Sequence, residues 1–328
     1  MDQLAAQIEK SGIPTYLGGM ARGLLGPKSD VQCRHARGKA LKEADLVIMG
    51  GVSADFRLNY GRALSKKAKI VTINRDKGEL NKNTDLFWKP TATVETDAAD
   101  FLLALLDGSI QGDFGEWLES RKAADKARDD EIVAKAAKEV APGHINPLKV
   151  FTQLDQQLPD DAILIADGGD FVATASYILR PRGPLSWLDP GPYGTLGVGG
   201  GFAVGAATVH PDRPVYVIYG DGSAGYSMVE LDTAKRHGLN GIKVIVGNDG
   251  AWTQILRAQE ELLGSPVANL LAKSDYQKVA QAFACSGNLL NQPDELEQAL
   301  TELNQSQTPN VLNVHIGTTD FREGSISV

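Results

Sequence analysis

Two alternating patterns of apolar and polar positions run along the chain and predict strands and helices in turn. Short apolar runs such as Leu46–Met49, Ile70–Ile73 and Val215–Tyr219 are typical of buried strands. Between such runs, apolar residues recur at helical spacing, for example in residues 4–10 and Pro147–Gln157. Strands that alternate with helices form parallel sheets covered by helices. We therefore predict an α/β protein with two doubly wound parallel-sheet domains.

A polar stretch separates the two predicted sheets. Residues 114–140 are rich in Ala, Lys, Glu, Asp and Arg and contain few large apolar side chains, which predicts an exposed connecting helix. Pro142 and Gly143 end this stretch. We predict a first domain at residues 1–110, a helical linker at 111–143 and a second domain at 144–328.

The composition is that of an acidic globular protein. The formal net charge of −8 argues against a nucleic-acid-binding surface. No apolar run approaches the roughly 20 residues of a membrane-spanning helix. Cys33 and Cys285 match no metal or redox spacing. We expect a cytoplasmic location, with an upstream anchor or organelle signal on a longer precursor left open.

Polar side chains follow two neighbouring strands of the second predicted sheet. Asp221 comes directly after the strand at Val215–Tyr219 and its Gly220, and Asn248 follows the strand at Ile242–Val246. Because neighbouring parallel strands end at the same edge of a sheet, these side chains are expected to converge. Their oxygens suit Mg²⁺, which is usually shared with substrate phosphates. Gly222 leaves backbone N–H groups at the start of the next helix accessible to a diphosphate.

Two competing motifs fail in this region. The sequence around Ser223 approaches the G-x-S-x-G nucleophile elbow, but Asp221 stands where that motif needs its first glycine. A dinucleotide fingerprint that begins at Gly197 would need a glycine at position 202, where the chain has Phe202. A serine-hydrolase elbow and a standard NAD loop are therefore excluded here.

Gly220-Asp221-Gly222, followed by a helix, a strand and Asn248-Asp249-Gly250, resembles the signature of thiamine diphosphate (ThDP) enzymes. The resemblance implies that Asp221, Asn248 and the Gly250 carbonyl ligate Mg²⁺. One departure is Gly247, because the family usually has two asparagines in tandem here. The resemblance also implies cofactor contacts, with a large apolar residue supporting the bent cofactor, at Gly168, Gly169, Asp170, Thr195, Leu196, Gly197, Gly220, Gly222, Ser223 and Trp252.

Further stretches, including Asp55-Phe56-Arg57 and Trp252-Thr253-Gln254, resemble acetolactate synthase-like proteins of the 2-hydroxyacyl-CoA lyase branch. This implies a ThDP- and Mg²⁺-dependent carbon–carbon lyase that converts a 2-hydroxyacyl-CoA into an aldehyde and formyl-CoA. One alternative is an acetolactate synthase-like carboligase of 2-oxo acids with structural FAD. Another is a non-catalytic cofactor-binding remnant.

The first domain resembles the Rossmann-like central domain of this family, and its strand ends predict a second crevice, lined by Gly50, Gly51, Ser53, Asp55, Arg57 and Asn74 to Asp76. A purely structural layer is the alternative. Ser53 stands where the synthases carry an arginine that helps to hold FAD, and Asn74 replaces an acidic residue. We therefore expect CoA or ADP here in preference to FAD.

Family members also carry a pyrimidine-binding domain before the central one, with a glutamate that activates the cofactor. We find no equivalent in this sequence, so the catalytic acid is unassigned. The resemblance implies a homodimer or tetramer in which a second copy or another chain supplies that domain. We expect the isolated chain to have no appreciable turnover.

Overall fold

The computed structural model describes residues 1–108 and 112–322. The described chain forms two compact units. Unit 1 comprises Met1–Leu17 and Lys28–Arg128, and unit 2 comprises Gly18–Pro27 and the described residues from Asp129 onward. The long helix Gly115–Ala136 carries the chain from the first unit into the second.

Unit 1, in its described residues, has a three-stranded parallel sheet of order β1-β2-β3. The strands are β1 (Leu46–Gly50), β2 (Lys69–Asn74) and β3 (Ala92–Glu95). Its helices are α1 (Asp2–Ser11), α2 (Arg37–Glu43), α3 (Lys77–Leu80), α4 (Ala98–Leu106) and the first part of α5 (Gly115–Ala136). Val47, Met49 and Ile70 of the sheet pack with Leu58 and Trp88 in its core.

Unit 2, as far as the structure describes it, has a six-stranded parallel sheet of order β5-β4-β6-β7-β9-β8. The strands are β4 (Ile163–Asp167), β5 (Trp187–Leu188), β6 (Val215–Gly220), β7 (Ile242–Asn248), β8 (Ser286–Leu290) and β9 (Asn310–His315). The helices are α6 (Pro147–Gln157), α7 (Asp170–Ile178), α8 (Gly199–Val209), α9 (Asp221–Ser227), α10 (Glu230–Arg236), α11 (Thr253–Leu263), α12 (Tyr276–Ala282) and α13 (Leu296–Gln305). Short 3₁₀ turns occur at Gly19–Gly23, Phe56–Gly61, Gly191–Tyr193, Pro293–Glu295 and Asp320–Arg322.

Both faces of the larger sheet are buried. Leu164 and Ala166 of β4 belong to one hydrophobic cluster, whereas Ile163 and Ile165 belong to the other. Side chains of a strand point alternately to its two faces, so each strand contributes to both layers. This double burial explains why the central strands are continuous apolar runs.

The strand order reverses at β4. From β4 the chain first adds β5 on one side and then crosses to add β6 on the other. In open parallel sheets such a switch point leaves a crevice at the carboxyl ends of the strands, where ligands bind. The ends of β4 and β6, at Asp167 and Gly220, border this crevice.

The predicted α/β class with two parallel sheets is confirmed. The helical spacing after Asp221 belongs to two short helices, α9 and α10, because the chain turns at Met228 and Val229. Cys33 and Cys285 are buried free thiols. None of the helices in the described part of the chain is long and apolar enough to cross a membrane.

Candidate cofactor and metal site

The predicted metal ligands lie at the adjoining ends of β6 and β7. Gly220 pairs with Gly247 in the parallel register, so Asp221 and Asn248 follow side by side. The Asp221 Oδ2 atom accepts a hydrogen bond from the Gly250 N–H at 2.8 Å. Tyr276 of α12 donates its hydroxyl to the Asp221 carbonyl at 2.6 Å. The loop after β7 is therefore bound directly to the start of α9.

Asn248 carries an oxygen that the protein does not satisfy. Its side chain is fully buried, and its Nδ2 atom donates to the Ser274 carbonyl at 3.0 Å and to Asn313 Oδ1 at 3.1 Å. Its Oδ1 atom has no hydrogen-bond partner among the described residues. A buried polar atom without a partner costs about 1–3 kcal/mol. The amide oxygen of Asn248 therefore fits a ligand that the structure does not contain.

Asp221 is a nearly buried carboxylate. Burial and, to a smaller extent, the neighbouring Asp249 carboxylate raise the pKa of Asp221 to about 7, although hydrogen bonds from the N–H groups of Gly250 and Gly222 oppose the shift. A cation at this position would favour the ionised form. Within residues 1–108 and 112–322, no group of three or more His, Cys, Asp or Glu side chains is arranged to hold a metal. A metal here would therefore use Asp221 together with amide, carbonyl and external oxygens.

Two further positions of the metal motif, Gly247 and Gly250, are glycines for different structural reasons. A Cβ atom at Gly247 would lie 2.4 Å from the Phe171 ring, so the ring occupies the space that a tandem asparagine would need. Gly250 has a φ of 74°, a conformation that favours glycine. Its carbonyl accepts from the Leu271 N–H at 2.7 Å, which leaves one lone pair of that oxygen for a cation.

Asp167 at the end of β4 organises the glycine-rich loop before α8. Its buried carboxylate accepts from the N–H groups of Gly197, at 3.0 Å, and Gly199, at 2.7 Å. Burial raises the pKa of Asp167, and these N–H groups oppose the shift. The Ser223 hydroxyl donates to the Asp167 carbonyl at 2.6 Å, and the Gly220 carbonyl lies 3.0 Å from the same hydroxyl oxygen. The Ser223 hydroxyl therefore joins two strand ends and is already engaged.

The remaining predicted cofactor contacts lie around these strand ends. The Trp252 ring packs directly against Gly222. A Cβ atom added at Gly222 would lie 2.3 Å from that ring. The Gly222 N–H donates to Asp221 Oδ1 at 2.8 Å. Leu196 is half-buried and Thr195 is exposed in the loop that Asp167 holds.

Asp170 is the first residue of α7 and forms an ion pair with Arg257. Its carboxylate accepts from Arg257 of α11 at 2.5 Å and 3.1 Å. Gly169 contacts the Gln254 side chain, which would lie 2.8 Å from an added Cβ atom. Gly168 has a φ of 152°, and a Cβ atom there would lie 2.8 Å from the Gly220 nitrogen. The predicted contact at Asp170 would therefore compete with Arg257.

At the strand ends of unit 1, the polar groups bond to one another. Asp55 accepts from the Arg57 side chain at 2.7 Å, and Asp76 caps α3 by accepting from Gly78 and Glu79. Asn74 Oδ1 accepts from the Asp76 N–H at 3.0 Å. Four of the residues predicted to line the nucleotide crevice, Asp55, Arg57, Asn74 and Asp76, are therefore already hydrogen-bonded within the protein.

Two family models match the chain. The thiamine pyrophosphate enzyme central domain matches residues 1–105, and the C-terminal TPP binding domain of the same family matches residues 167–314. The chain belongs to the thiamine pyrophosphate enzyme family. The predicted family is thereby confirmed. The second match covers β4, β6 and β7, whose ends carry the site described above.

Similar proteins include 2-hydroxyacyl-CoA lyase 2 of Caenorhabditis elegans, 48% identical over 334 aligned residues that cover 99% of this chain and 52% of the relative. The Homo sapiens 2-hydroxyacyl-CoA lyase 2 is 46% identical over an alignment that covers 100% of this chain and 52% of the relative. An acetolactate synthase large subunit of Mycobacterium tuberculosis is 33% identical over 94% of this chain and 55% of its own length. The chain thus spans about half the length of the curated relatives it matches.

A solved structure has the same fold. A thiamine diphosphate-dependent 4-hydroxybenzoylformate decarboxylase of Rhodococcus jostii matches 97% of this chain and 59% of its own chain, with a TM-score of 0.75. At 19% sequence identity, this likeness concerns the fold of the family.

Three residues that take part in the site were not among the predicted site residues: Asp167, Tyr276 and Asn313. Asp167 ends a buried strand directly before two glycines, which is a signal in the sequence. Asn313 is a polar residue within the apolar strand β9, which is a second signal. Tyr276 gives no local signal, because only the packing of α12 brings its hydroxyl to Asp221.

Proposed function

We propose that the chain forms the diphosphate- and Mg²⁺-binding part of a ThDP-dependent carbon–carbon lyase that converts a 2-hydroxyacyl-CoA into an aldehyde and formyl-CoA. Relatives that are 46% and 48% identical carry the name 2-hydroxyacyl-CoA lyase 2 and support the substrate class. The observation that carries the cofactor proposal is the unpartnered Asn248 oxygen beside the Asp221 carboxylate. Both lie at a sheet edge of the kind that binds ligands.

The proposed Mg²⁺ ligands are the Asp221 carboxylate, Asn248 Oδ1 and the Gly250 carbonyl. All three donors are oxygens, which Mg²⁺ prefers, and the rest of an octahedron is left for phosphate oxygens and water. Binding would remove the cost of the buried Asn248 oxygen and would stabilise the ionised form of Asp221. The donor set therefore fits a cation that arrives together with a diphosphate.

The remaining site residues would hold and enclose the cofactor. When bound, ThDP supplies an electron sink for the carbanion that forms as a carbon–carbon bond next to a carbonyl breaks. Asp167 fixes the loop that carries Thr195, Leu196 and Gly197, so that loop can border a ligand without rearrangement. Trp252 packs on Gly222 and excludes water from one side of the turn.

We propose that substrate binding and cofactor activation require residues from outside this sequence. The chain spans about half the length of the relatives, and we assign no activating carboxyl group to it. Another polypeptide segment would supply that group and complete the site. The isolated chain is then expected to bind Mg²⁺ and ThDP weakly and to turn over little substrate.

For unit 1 we propose CoA or ADP as the ligand in preference to FAD. Ser53 is buried and lacks the guanidinium group with which an arginine would hold a flavin nucleotide. The Arg57 guanidinium is engaged by Asp55. FAD that copurifies in stoichiometric amount and resists excess CoA would overturn this assignment and favour the acetolactate synthase-like function.

Aldehyde and formyl-CoA release tests the lyase proposal. The chain, alone and coexpressed with the remaining segment of a matched relative, is incubated with Mg²⁺, ThDP and a 2-hydroxyacyl-CoA. We expect product only from the complex, and none when the chain carries Asp221→Ala. Condensation of 2-oxo acids without cleavage of the acyl-CoA would contradict the lyase assignment. Rapid turnover by the chain alone would contradict the need for a second segment.

A further inference from the structure

We infer that Asn313 is a positioning residue that aims the Asn248 oxygen at the metal through a directed series of side-chain hydrogen bonds, the amide relay. The amide relay consists of Asp275, Gln277, Asn313 and Asn248. This inference rests on the proposed Mg²⁺ and ThDP site and adds residues from β9 and α12 to it.

The direction of the relay is set at its outer end. Asp275 accepts at Oδ1 from Gln277 Nε2 at 2.9 Å, and its Oδ2 atom is held by Lys278 at 2.6 Å. An ionised carboxylate only accepts hydrogen bonds, so the Gln277 nitrogen must face Asp275. The Gln277 oxygen then faces inward, where it accepts from Asn313 Nδ2 at 2.7 Å. The orientation of one amide thus fixes that of the next.

The same logic continues to Asn248. With its nitrogen directed at Gln277, Asn313 presents Oδ1 to Asn248 Nδ2 at 3.1 Å. The Ser274 carbonyl accepts from both nitrogens, at 3.0 Å from Asn248 and 3.1 Å from Asn313. Both N–H groups of Asn248 are therefore used, and its oxygen is left without a partner among the described residues. That oxygen is the proposed metal ligand.

Burial makes this orientation strict. Asn248 and Asn313 are fully buried and Gln277 is nearly so. A flipped Asn248 amide would turn its N–H groups towards the cation and place two oxygens against each other at Asn313. Such unpaired contacts are costly where water cannot enter. Partners of metal ligands commonly contribute tenfold to a hundredfold to metal affinity by holding the ligand in this way.

Strand order brings the relay together. β9 lies between β7 and β8, and Val246 pairs with Asn313 while Asn248 pairs with His315. Asn313 therefore reaches Asn248 from the neighbouring strand. Asn310 lies at the opposite end of β9, where it pairs with Lys243, and it is also buried. Asn310 therefore serves as a matched control.

The test is calorimetric titration of Mn²⁺, as a spectroscopically checkable substitute for Mg²⁺, into the chain with a fixed excess of ThDP, after subtraction of the same titration into ThDP alone. We expect Asn313→Ala to weaken metal binding by on the order of tenfold. We expect Asn310→Ala, which removes a buried amide whose oxygen also lacks a partner among the described residues, to leave the metal affinity unchanged. Equal metal affinity in Asn313→Ala and the wild type would overturn the relay.

A double-mutant cycle separates positioning from packing. If Asn313 acts through Asn248, then Asn313→Ala has no further effect on metal affinity once Asn248 is replaced by Ala. A loss of the same size in both backgrounds would show that Asn313 acts by another route and would overturn the inference. A simple loss of packing predicts that second result.

A surface variant keeps the test valid if Asn313→Ala does not fold. Asp275→Ala removes the outer end of the relay, and we expect a severalfold loss of metal affinity. Lys278→Ala breaks the same surface ion pair without touching Gln277, and we expect no change. If Asp275→Ala binds metal like the wild type, the relay is wrong while the metal site stands. If the wild-type chain binds no metal with ThDP, both the site and the relay are wrong.

Discussion

The strand ends of the two parallel sheets differ in how their polar side chains are satisfied. In unit 1, Asp55 is paired with Arg57, and Asp76 caps the following helix. In unit 2, the Asn248 oxygen lacks a partner within the described residues, and the pKa of Asp221 is raised to about 7 by burial. The polar groups at the strand ends of unit 1 are therefore paired within the protein, whereas the edge in unit 2 keeps an oxygen available for the cation proposed above.

This difference has an energetic consequence. Paired groups contribute to the free energy of unfolding of their own unit, whereas an unsatisfied buried oxygen lowers it until a ligand binds. Substitutions of Asp221 and Asn248 should therefore act mainly on Mg²⁺ and ThDP binding, and substitutions of Asp55 and Asp76 mainly on stability.

The largest effect is expected from Asp221→Ala. Removing the charged ligand should weaken Mg²⁺-dependent ThDP binding by on the order of a hundredfold or more, because a carboxylate interacts with a divalent cation far more strongly than a neutral oxygen does. The free protein should stay folded, since a poorly solvated carboxylate is removed. Calorimetry measures the affinity.

Asp76→Ala is the matched control in unit 1. Asp76 also follows a parallel strand and also begins a helix, but it is exposed and its oxygen is used as a helix cap. We expect a stability loss of about 1 kcal/mol and unchanged ThDP affinity. Equal binding losses in both variants would remove the distinction between the two edges.

Asn248→Ala should weaken the same binding by on the order of thirtyfold, because it removes a neutral ligand. The free chain should lose less stability than a hydrogen-bonded buried asparagine usually contributes, since the unpartnered oxygen disappears as well. Urea unfolding with and without Mg²⁺ and ThDP measures both quantities. An unchanged affinity would exclude Asn248 as a ligand.

In unit 1, Asp55→Asn should lower stability by about 1–2 kcal/mol at neutral pH, since it removes a charge-assisted pair whose arginine is partly exposed. ThDP binding should not change. Urea unfolding, followed by a signal that reports on unit 1, measures the loss of stability. A weakened ThDP affinity would show that the two edges are not independent in this respect.

The pH dependence of that loss is specific. Burial opposes ionisation of Asp55, but hydrogen bonds from Arg57 outweigh it and hold the pKa of Asp55 below its ordinary value. The stabilisation is therefore fully present above the ordinary pKa of about 3.9 and is lost as pH falls through the lowered pKa. Wild type and Asp55→Asn should converge in stability at that acidic end. A constant difference would contradict the pairing.

The smallest effect is expected from Gly222→Ala. The added Cβ atom would lie 2.3 Å from the Trp252 ring, so the ring must shift, and we expect a severalfold loss of ThDP affinity. Gly225→Ala in the same helix is the control, because no atom apart from its chain neighbours and its own helix backbone lies within 4 Å of the added Cβ. Identical affinities in the two variants would show that Trp252 does not shape the site.

The local pattern of apolar residues was sufficient to predict the central strands and the proximity of Asp221 and Asn248 at the sheet edge. The apolar run at Ile242–Val246 is confirmed as β7, and parallel strands share an edge whatever their loops contain. The short strand β8 and the two-residue β5 were not predicted, because few residues carry an apolar pattern there.

The site's supporting contacts depend on distant parts of the chain. Asn313 reaches Asn248 because β9 lies beside β7, and the Phe171 ring from α7 fills the space at Gly247. Sequence spacing carries no information on either contact. The turn at Met228 that divides α9 from α10 is likewise set by packing, since the helical spacing continues through it.

Titration of ThDP into the wild-type chain, first with Mg²⁺ and then with a chelator, tests the central claim most directly. The account predicts saturable binding that requires the metal and that disappears when the metal is removed, because the buried Asn248 oxygen has no partner among the described residues and the Asp221 carboxylate beside it supplies the negative charge for a cation. ThDP binding of equal affinity with the chelator, or no binding under either condition, would contradict it.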